Sequence, residues 1–176
     1  ELWLRTLAGG KAVYVGYNST VETATIAARL EKLARRPTVR RVIIDVRMNG
    51  GGDNTAYLPL LEVFVRPQMN RRGKFYVLAG RATFSAAGNF VADVDSFTKA
   101  LVVGEPTGGG VNQYGNASTF ALPSTGLNVY VATQYVIRGD PKDRRLAVAP
   151  DVRIDLTSAH YFAGRDPALA RALRGL

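Results

Sequence analysis

The sequence contains no cysteine and a single histidine. The first absence excludes disulfides, thiolate zinc sites and thiol nucleophiles, while leaving oxidising and reducing compartments both open. One histidine and scattered carboxylates form no recognisable metal-ligand spacing, and no cofactor is called for. Long apolar runs are also missing. No window approaches the roughly 20 residues that a bilayer span requires, and the first residues lack a basic stretch followed by an apolar one. Negative charge is the scarcer sign, with 14 Asp and Glu against 23 Lys and Arg. An excess of basic residues can serve an anionic partner by releasing counterions from phosphates. Here the arginines fall in short groups beside turns (Arg35, Arg36, Arg40, Arg41; Arg71, Arg72; Arg144, Arg145), with no aromatic-interleaved stripe. That distribution reads as a solvated surface, and nucleic acid is not the expected partner.

What is present is enough apolar material for one core. The chain has 176 residues, 47% of them hydrophobic, which suits one globular domain. Ala12 to Tyr17 is β-branched and aromatic, hence a strand. Ile26, Leu30 and Leu33 recur at helical spacing through roughly residues 21 to 35, and Arg36-Pro37 ends that helix. Arg41 to Val46 is a short continuous apolar run of the kind a strand covered on both faces shows, and the glycine turn Asn49-Gly50-Gly51-Gly52 follows. Tyr57 to Val65 reads as a helix, Phe75 to Ala79 as a buried strand, Ala86 to Phe97 as a tightly packed helix and Leu101 to Val103 as a further strand. Beyond the loop at Gly108-Gly109-Gly110, Thr119 to Leu122 and Leu127 to Val136 form a hairpin pattern. Asp166-Pro167 then opens a short C-terminal helix. Alternating strands and helices predict an α/β layer fold with a substantially parallel sheet and active residues at strand ends.

Two segments end hydrophobic strands with small residues. In Asp45-Val46-Arg47-Met48-Asn49-Gly50-Gly51-Gly52, successive glycines leave main-chain N–H groups uncovered, which suits a developing oxyanion. The alternative is a tight turn that uses glycine for positive φ. Asp45 and Arg47 can pair to hold this loop. In the second segment, Leu78 to Phe90, a strand and a short loop lead into a helix at Ser85. A serine there can project its hydroxyl from the strand end while the Ala86 N–H and the helix terminus face negative charge. The alternative role for Ser85 is a helix N-cap.

Together these segments resemble a family. Ile44-Asp45-Val46-Arg47-Met48-Asn49-Gly50-Gly51-Gly52 is similar to the "DLR-x-N-x-GG" signature of the carboxyl-terminal processing (tail-specific) serine peptidases, family S41. Thr83-Phe84-Ser85-Ala86-Ala87 is similar to their nucleophile segment, and Val102-Val103-Gly104-Glu105-Pro106-Thr107 to the "VGEPT" run that follows it. The resemblance covers most of residues 12 to 170. It implies a crotonase/ClpP-like superhelix of β-β-α units, here followed by the hairpin and short helix. It also implies acyl-enzyme chemistry on peptide or protein substrates, with Ser85 as nucleophile and the Gly51 and Ala86 amides as the oxyanion hole. Residues 1–176 would then be a single core domain of a longer protein, exported or at the cell envelope.

One departure concerns the general base. The family's lysine-dependent members carry a lysine in a "T-x-GKG" run, where this chain has Thr107-Gly108-Gly109-Gly110, with Gly110 in the lysine's place. The tricorn-like and retinoid-binding-protein-like branch instead uses a histidine near the end of the first strand, where this chain has Tyr17-Asn18-Ser19. Tyr114, Glu105, His160 or a residue from a part of the protein outside this chain are the remaining candidates, Tyr114 by its place after the glycines, while His160 suits surface or packing. Two other functions stay open: a binding module on the same fold that holds a peptide or apolar ligand uncut, and a coenzyme A-dependent crotonase-type enzyme.

Overall fold

The structure, a computed structural model, describes residues 2–138 and 140–175. β1 (Leu2–Leu7) and β2 (Ala12–Tyr17) form an antiparallel pair at one edge of the main sheet. Then come α1 (Ala24–Ala34), β3 (Arg41–Asp45), α2 (Leu58–Val65), β4 (Phe75–Ala79), α3 (Ala86–Phe97) and β5 (Leu101–Gly104). β6 (Gln113–Ala121) and β7 (Asn128–Val136) pair only with each other, as an antiparallel ribbon. β8 (Val152–Arg153), α4 (Ser158–Phe162) and α5 (Pro167–Arg174) complete the chain. The six-stranded sheet runs β1-β2-β3-β4-β5-β8, and every pair from β2 onward is parallel. The molecule is therefore a mixed α/β fold with a largely parallel sheet.

Strand periodicity divides the core in two. Val13, Val15, Val42, Ile44 and Val77 face Leu30 of α1, Leu60 and Phe64 of α2 and Phe90 of α3. Their neighbours Tyr14, Ile43, Tyr76, Leu78 and Leu101 face the other way, toward Ala168 and Ala172 of α5. That two-sided burial explains why β3 and β4 read as unbroken apolar runs. No helix among the described residues is long and apolar enough to cross a membrane.

β1 and β8 have no counterpart in the sequence pattern: β1 is only half-buried and β8 has two residues. The ribbon begins at Gln113, six residues before the apolar alternation, because its first strand is small and polar. For the site, the decisive feature is the parallel register of β3 with β4, which pairs Asp45 with Leu78. It sends the loops after Asp45 and Ala79 out side by side from the same sheet end.

Candidate active site

The two loops are stitched together by the buried side chain of Thr83 and by a backbone hydrogen bond to Asn49. Thr83 is wholly buried, accepts from the Gly80 N–H at 3.0 Å and donates to the Val46 carbonyl at 2.9 Å. The Phe84 N–H donates to the Asn49 carbonyl at 3.0 Å. Asn49 is also wholly buried: its Nδ2 donates to the Tyr17 carbonyl at 2.8 Å, and its Oδ1 accepts from Thr20 Oγ1 at 3.1 Å and the Gly51 N–H at 3.0 Å. Asn49 thus joins the ends of β2 and β3 to the segment before Ser85. Sequence reasoning quoted Asn49 only as a motif letter, since a carboxamide that binds backbone leaves no periodic signal.

Behind the glycine loop, Arg47 bridges Asp45 at 2.6 Å and Asp166 at 2.7 Å. Tyr14 donates to Asp45 Oδ2 at 2.6 Å, and Asp166 caps α5 by accepting from the Leu169 N–H. The pairing of Asp45 with Arg47 is as the sequence suggests; Asp166 adds a third member from 119 positions away. Burial opposes the charged form of Asp166, but its hydrogen bonds with Arg47 and with backbone N–H groups outweigh this and lower its pKa. Burial likewise opposes charge on Arg47, and the two carboxylates overcome it and raise its pKa.

Ser85 lies between β4 and α3 with φ 52 and ψ −128, one of three described non-glycine residues at positive φ. A serine in that region carries of order 1 kcal/mol or more of backbone strain, which the surrounding structure must hold in place. Its side chain makes no capping hydrogen bond, so the N-cap alternative does not describe it. Gly51 lies directly against it, at φ 107: a Cβ built on Gly51 would be 2.5 Å from Ser85 Cβ and 3.0 Å from Ala86 N. The structure thus brings Ser85, Gly51 and Ala86 together. The Ala86 N–H has no partner among the described residues, whereas the Gly51 N–H is already given to Asn49 Oδ1.

Ser85 opens into a cavity of about 250 Å³ shared with Asn54, Phe84, Asn89 and, from the ribbon, Gln113, Tyr114 and Tyr130. Tyr114 is therefore in the same cavity, largely exposed and edge-on to Tyr135 at 5.0 Å. Glu105 is not: it pairs with Arg81 at 3.1 Å in a separate cleft that Arg47 lines. His160 is on α4 and lines neither. Tyr17, where the branch histidine would be, is fully buried; burial pushes its hydroxyl up to about 12, leaving it protonated near neutrality. At Gly110 a Cβ would meet the Arg145 carbonyl at 2.8 Å, so a side chain there runs into backbone. At Gly109 the first obstacle is the Gln113 side chain, whose Oε1 would be 2.2 Å away, with Phe84 next.

No protein-family model matches the chain. Solved structures do resemble it. A protein of Parabacteroides merdae ATCC 43184, provisionally described as a peptidase, superposes with a TM-score of 0.74 at 21% identity over 98% of this chain and 63% of its own. The tricorn protease gives 0.67 at 19% identity over 94% of this chain and 17% of its own. The photosystem II D1 C-terminal processing protease gives 0.57 at 22% identity over 85% of this chain and 45% of its own. The chain thus spans less than two thirds of each of these proteins. Peptidases of family S41, the family resembled in sequence, are among its structural neighbours, and the likeness establishes a shared fold.

Proposed function

We propose that this chain is the catalytic core of a serine peptidase, acting on peptide or protein chains through an acyl-enzyme on Ser85. The observation that carries this reading is the backbone of Ser85: a strained serine at a strand-to-helix junction, with an uncapped hydroxyl and a glycine pressed against its Cβ. Strain of this kind needs support from surrounding structure, and Asn49 and Thr83 provide it here. In the reaction, Ser85 Oγ bonds to the substrate carbonyl carbon and passes its proton to a base. The carbonyl oxygen takes the negative charge, facing the Ala86 N–H and the positive end of α3. Gly51 becomes the second donor when its N–H turns from Asn49 Oδ1 to that oxygen. The C–N bond then breaks as the amine regains a proton, and water releases the acyl group. Tyr114, on the ribbon side of the cavity, is the proposed proton carrier. The crotonase/ClpP-like β-β-α superhelix is the finer architecture that goes with this reading.

A second reading is favoured by a specific observation. None of the residues lining the Ser85 cavity is an Asp, Glu, Lys, Arg or His, and a serine hydroxyl is a weak nucleophile without a base. On that reading the cleft binds a peptide without cutting it. Labelling by a fluorophosphonate separates the two. The peptidase reading requires covalent labelling of the wild type that Ser85→Ala abolishes while the melting temperature holds. A folded wild type that stays unlabelled, at a concentration that labels a known serine hydrolase, leaves only the binding module.

A further inference from the structure

In a chain with 23 Lys and Arg and 14 Asp and Glu, the cavity beside Ser85 is walled by carboxamides and aromatics, with no charged group. Asn89, one helical turn beyond Ser85 on α3, is 3% exposed. Its Nδ2 donates to Asn54 Oδ1 at 2.6 Å, but its Oδ1 is buried without any hydrogen-bond partner among the described residues. An orphaned buried acceptor carries an unrecovered desolvation cost of about 1–3 kcal/mol, and such a group is ordinarily satisfied by something. Gln113, entering from β6, is placed by two glycines: its amide lies over Gly88 and fills the space that a side chain on Gly109 would take. The half-buried Gln113 amide lines the same cavity, so the cavity sets an unfilled buried acceptor beside a carboxamide that can donate.

We infer that this cavity is a specificity pocket for a neutral carboxamide side chain, glutamine or asparagine, of the peptide held at Ser85. The inference rests on reading that cleft as the peptide-binding site. A primary amide has both complements: its N–H donates to Asn89 Oδ1 and its carbonyl accepts from Gln113 Nε2. A carboxylate would set like against like at Asn89, an ammonium would find no counter-ion, and a leucine would leave both protein groups unpaired. A volume of about 250 Å³ accommodates one side chain of this size, and Phe84 and Tyr130 supply flat walls for its methylenes.

The test is binding, so that it does not depend on turnover. Fluorescently labelled acetyl-hexapeptides, identical except for Gln, Asn, Glu, Lys or Leu at one position, are titrated by anisotropy against the Ser85→Ala chain, with the variable residue moved stepwise along the peptide. At one position the Gln or Asn peptide binds about tenfold more tightly than the Glu and Leu peptides, the ratio that about 1.4 kcal/mol provides. Asn89→Leu on that background removes the preference. Asn89→Asp, which keeps the volume, weakens the Gln peptide about tenfold and strengthens the Lys peptide. Equal affinities across the panel, tightest binding by Leu, or no binding by any peptide overturns the inference. Cleavage without amide preference sinks the pocket and leaves the peptidase; amide-selective binding in a chain that fluorophosphonate does not label sinks the peptidase and leaves the pocket.

Discussion

A methyl group on Gly51 would lie 2.5 Å from Ser85 Cβ, 2.9 Å from the Phe84 carbonyl oxygen and 3.0 Å from the Ala86 nitrogen. Three of these four groups belong to one strained turn, and the fourth is the only residue type that can close against it. The glycine of this loop is therefore needed for two independent reasons, close approach and a φ of 107.

Gly51→Ala consequently disrupts the site far more than its size suggests. A strained φ and an overpacked contact together cost about 2–4 kcal/mol, read by chemical denaturation, and labelling of Ser85 falls at least tenfold. The neighbouring Gly50→Ala is the control, because its Cβ would meet nothing within 4 Å and its φ is not in the positive region. Gly50→Ala should change stability by no more than about 0.5 kcal/mol. Comparable losses in the two variants would show that the close approach of Gly51 to Ser85 is not what restricts this loop.

Asn49→Ala removes a side chain that satisfies the Tyr17 carbonyl, the Thr20 hydroxyl and the Gly51 N–H together. Leaving buried partners unpaired costs about 2–4 kcal/mol in urea unfolding with an unchanged m-value. Thr83→Ala should cost less, about 1–2 kcal/mol, since it releases only the Gly80 N–H and the Val46 carbonyl. An Asn49→Ala variant as stable as wild type would mean that water replaces the side chain and that the loops are held by something else.

The acid limb of stability should report Asp166. Its folded pKa is lowered, so it contributes stability at pH above its unfolded value of about 4, and that contribution is lost as pH falls through the lower folded value. Asp166 is about a third exposed, at 35%, which keeps its contribution modest. Asp166→Asn costs about 1 kcal/mol at pH 7 and the gap closes below about pH 4, measured as urea midpoints of both proteins across that range. A gap that stayed constant with pH would show that the ionised form of Asp166 contributes nothing to stability.

The central elements of this fold were legible because burial on both faces leaves β3, β4 and β5 as unbroken apolar runs. The short loop between β4 and α3 also marked where a functional serine could stand. β1 was passed over although Leu2, Leu4 and Leu7 are apolar, because an edge strand half-buried on one face has a weak pattern. Asp166 joins Arg47 from 119 positions away, and no local pattern announces such a contact. Asn54, Asn89 and Gln113 were invisible for the same reason. Carboxamides neither titrate nor repeat, so only the fold brings these three into one enclosure.

Gly110 takes the place of the lysine in the similar "T-x-GKG" run. Yet a Cβ there points at backbone, 2.8 Å from the Arg145 carbonyl and 3.2 Å from that of Asn112. Backbone cannot yield as a side chain can. Gly110→Lys should therefore cost about 1–3 kcal/mol and leave the fluorophosphonate labelling rate of Ser85 unchanged. A Cβ on Gly109 would instead meet Gln113 and Phe84, two residues that line the cavity, and its first obstacle is the removable end of Gln113. Gly109→Lys combined with Gln113→Ala places an amine in the cavity of Ser85, in low-dielectric surroundings that lower a lysine pKa and free it to accept the proton. A positioned general base contributes about 10²–10⁴-fold in evolved sites, and an installed one without supporting groups should give roughly a tenfold gain in labelling rate. The comparison is with Gln113→Ala alone, which opens the cavity without supplying a base. A gain from Gly110→Lys, or none from the double variant in protein that melts as one cooperative unit, would show that the base reaches Ser85 from another direction.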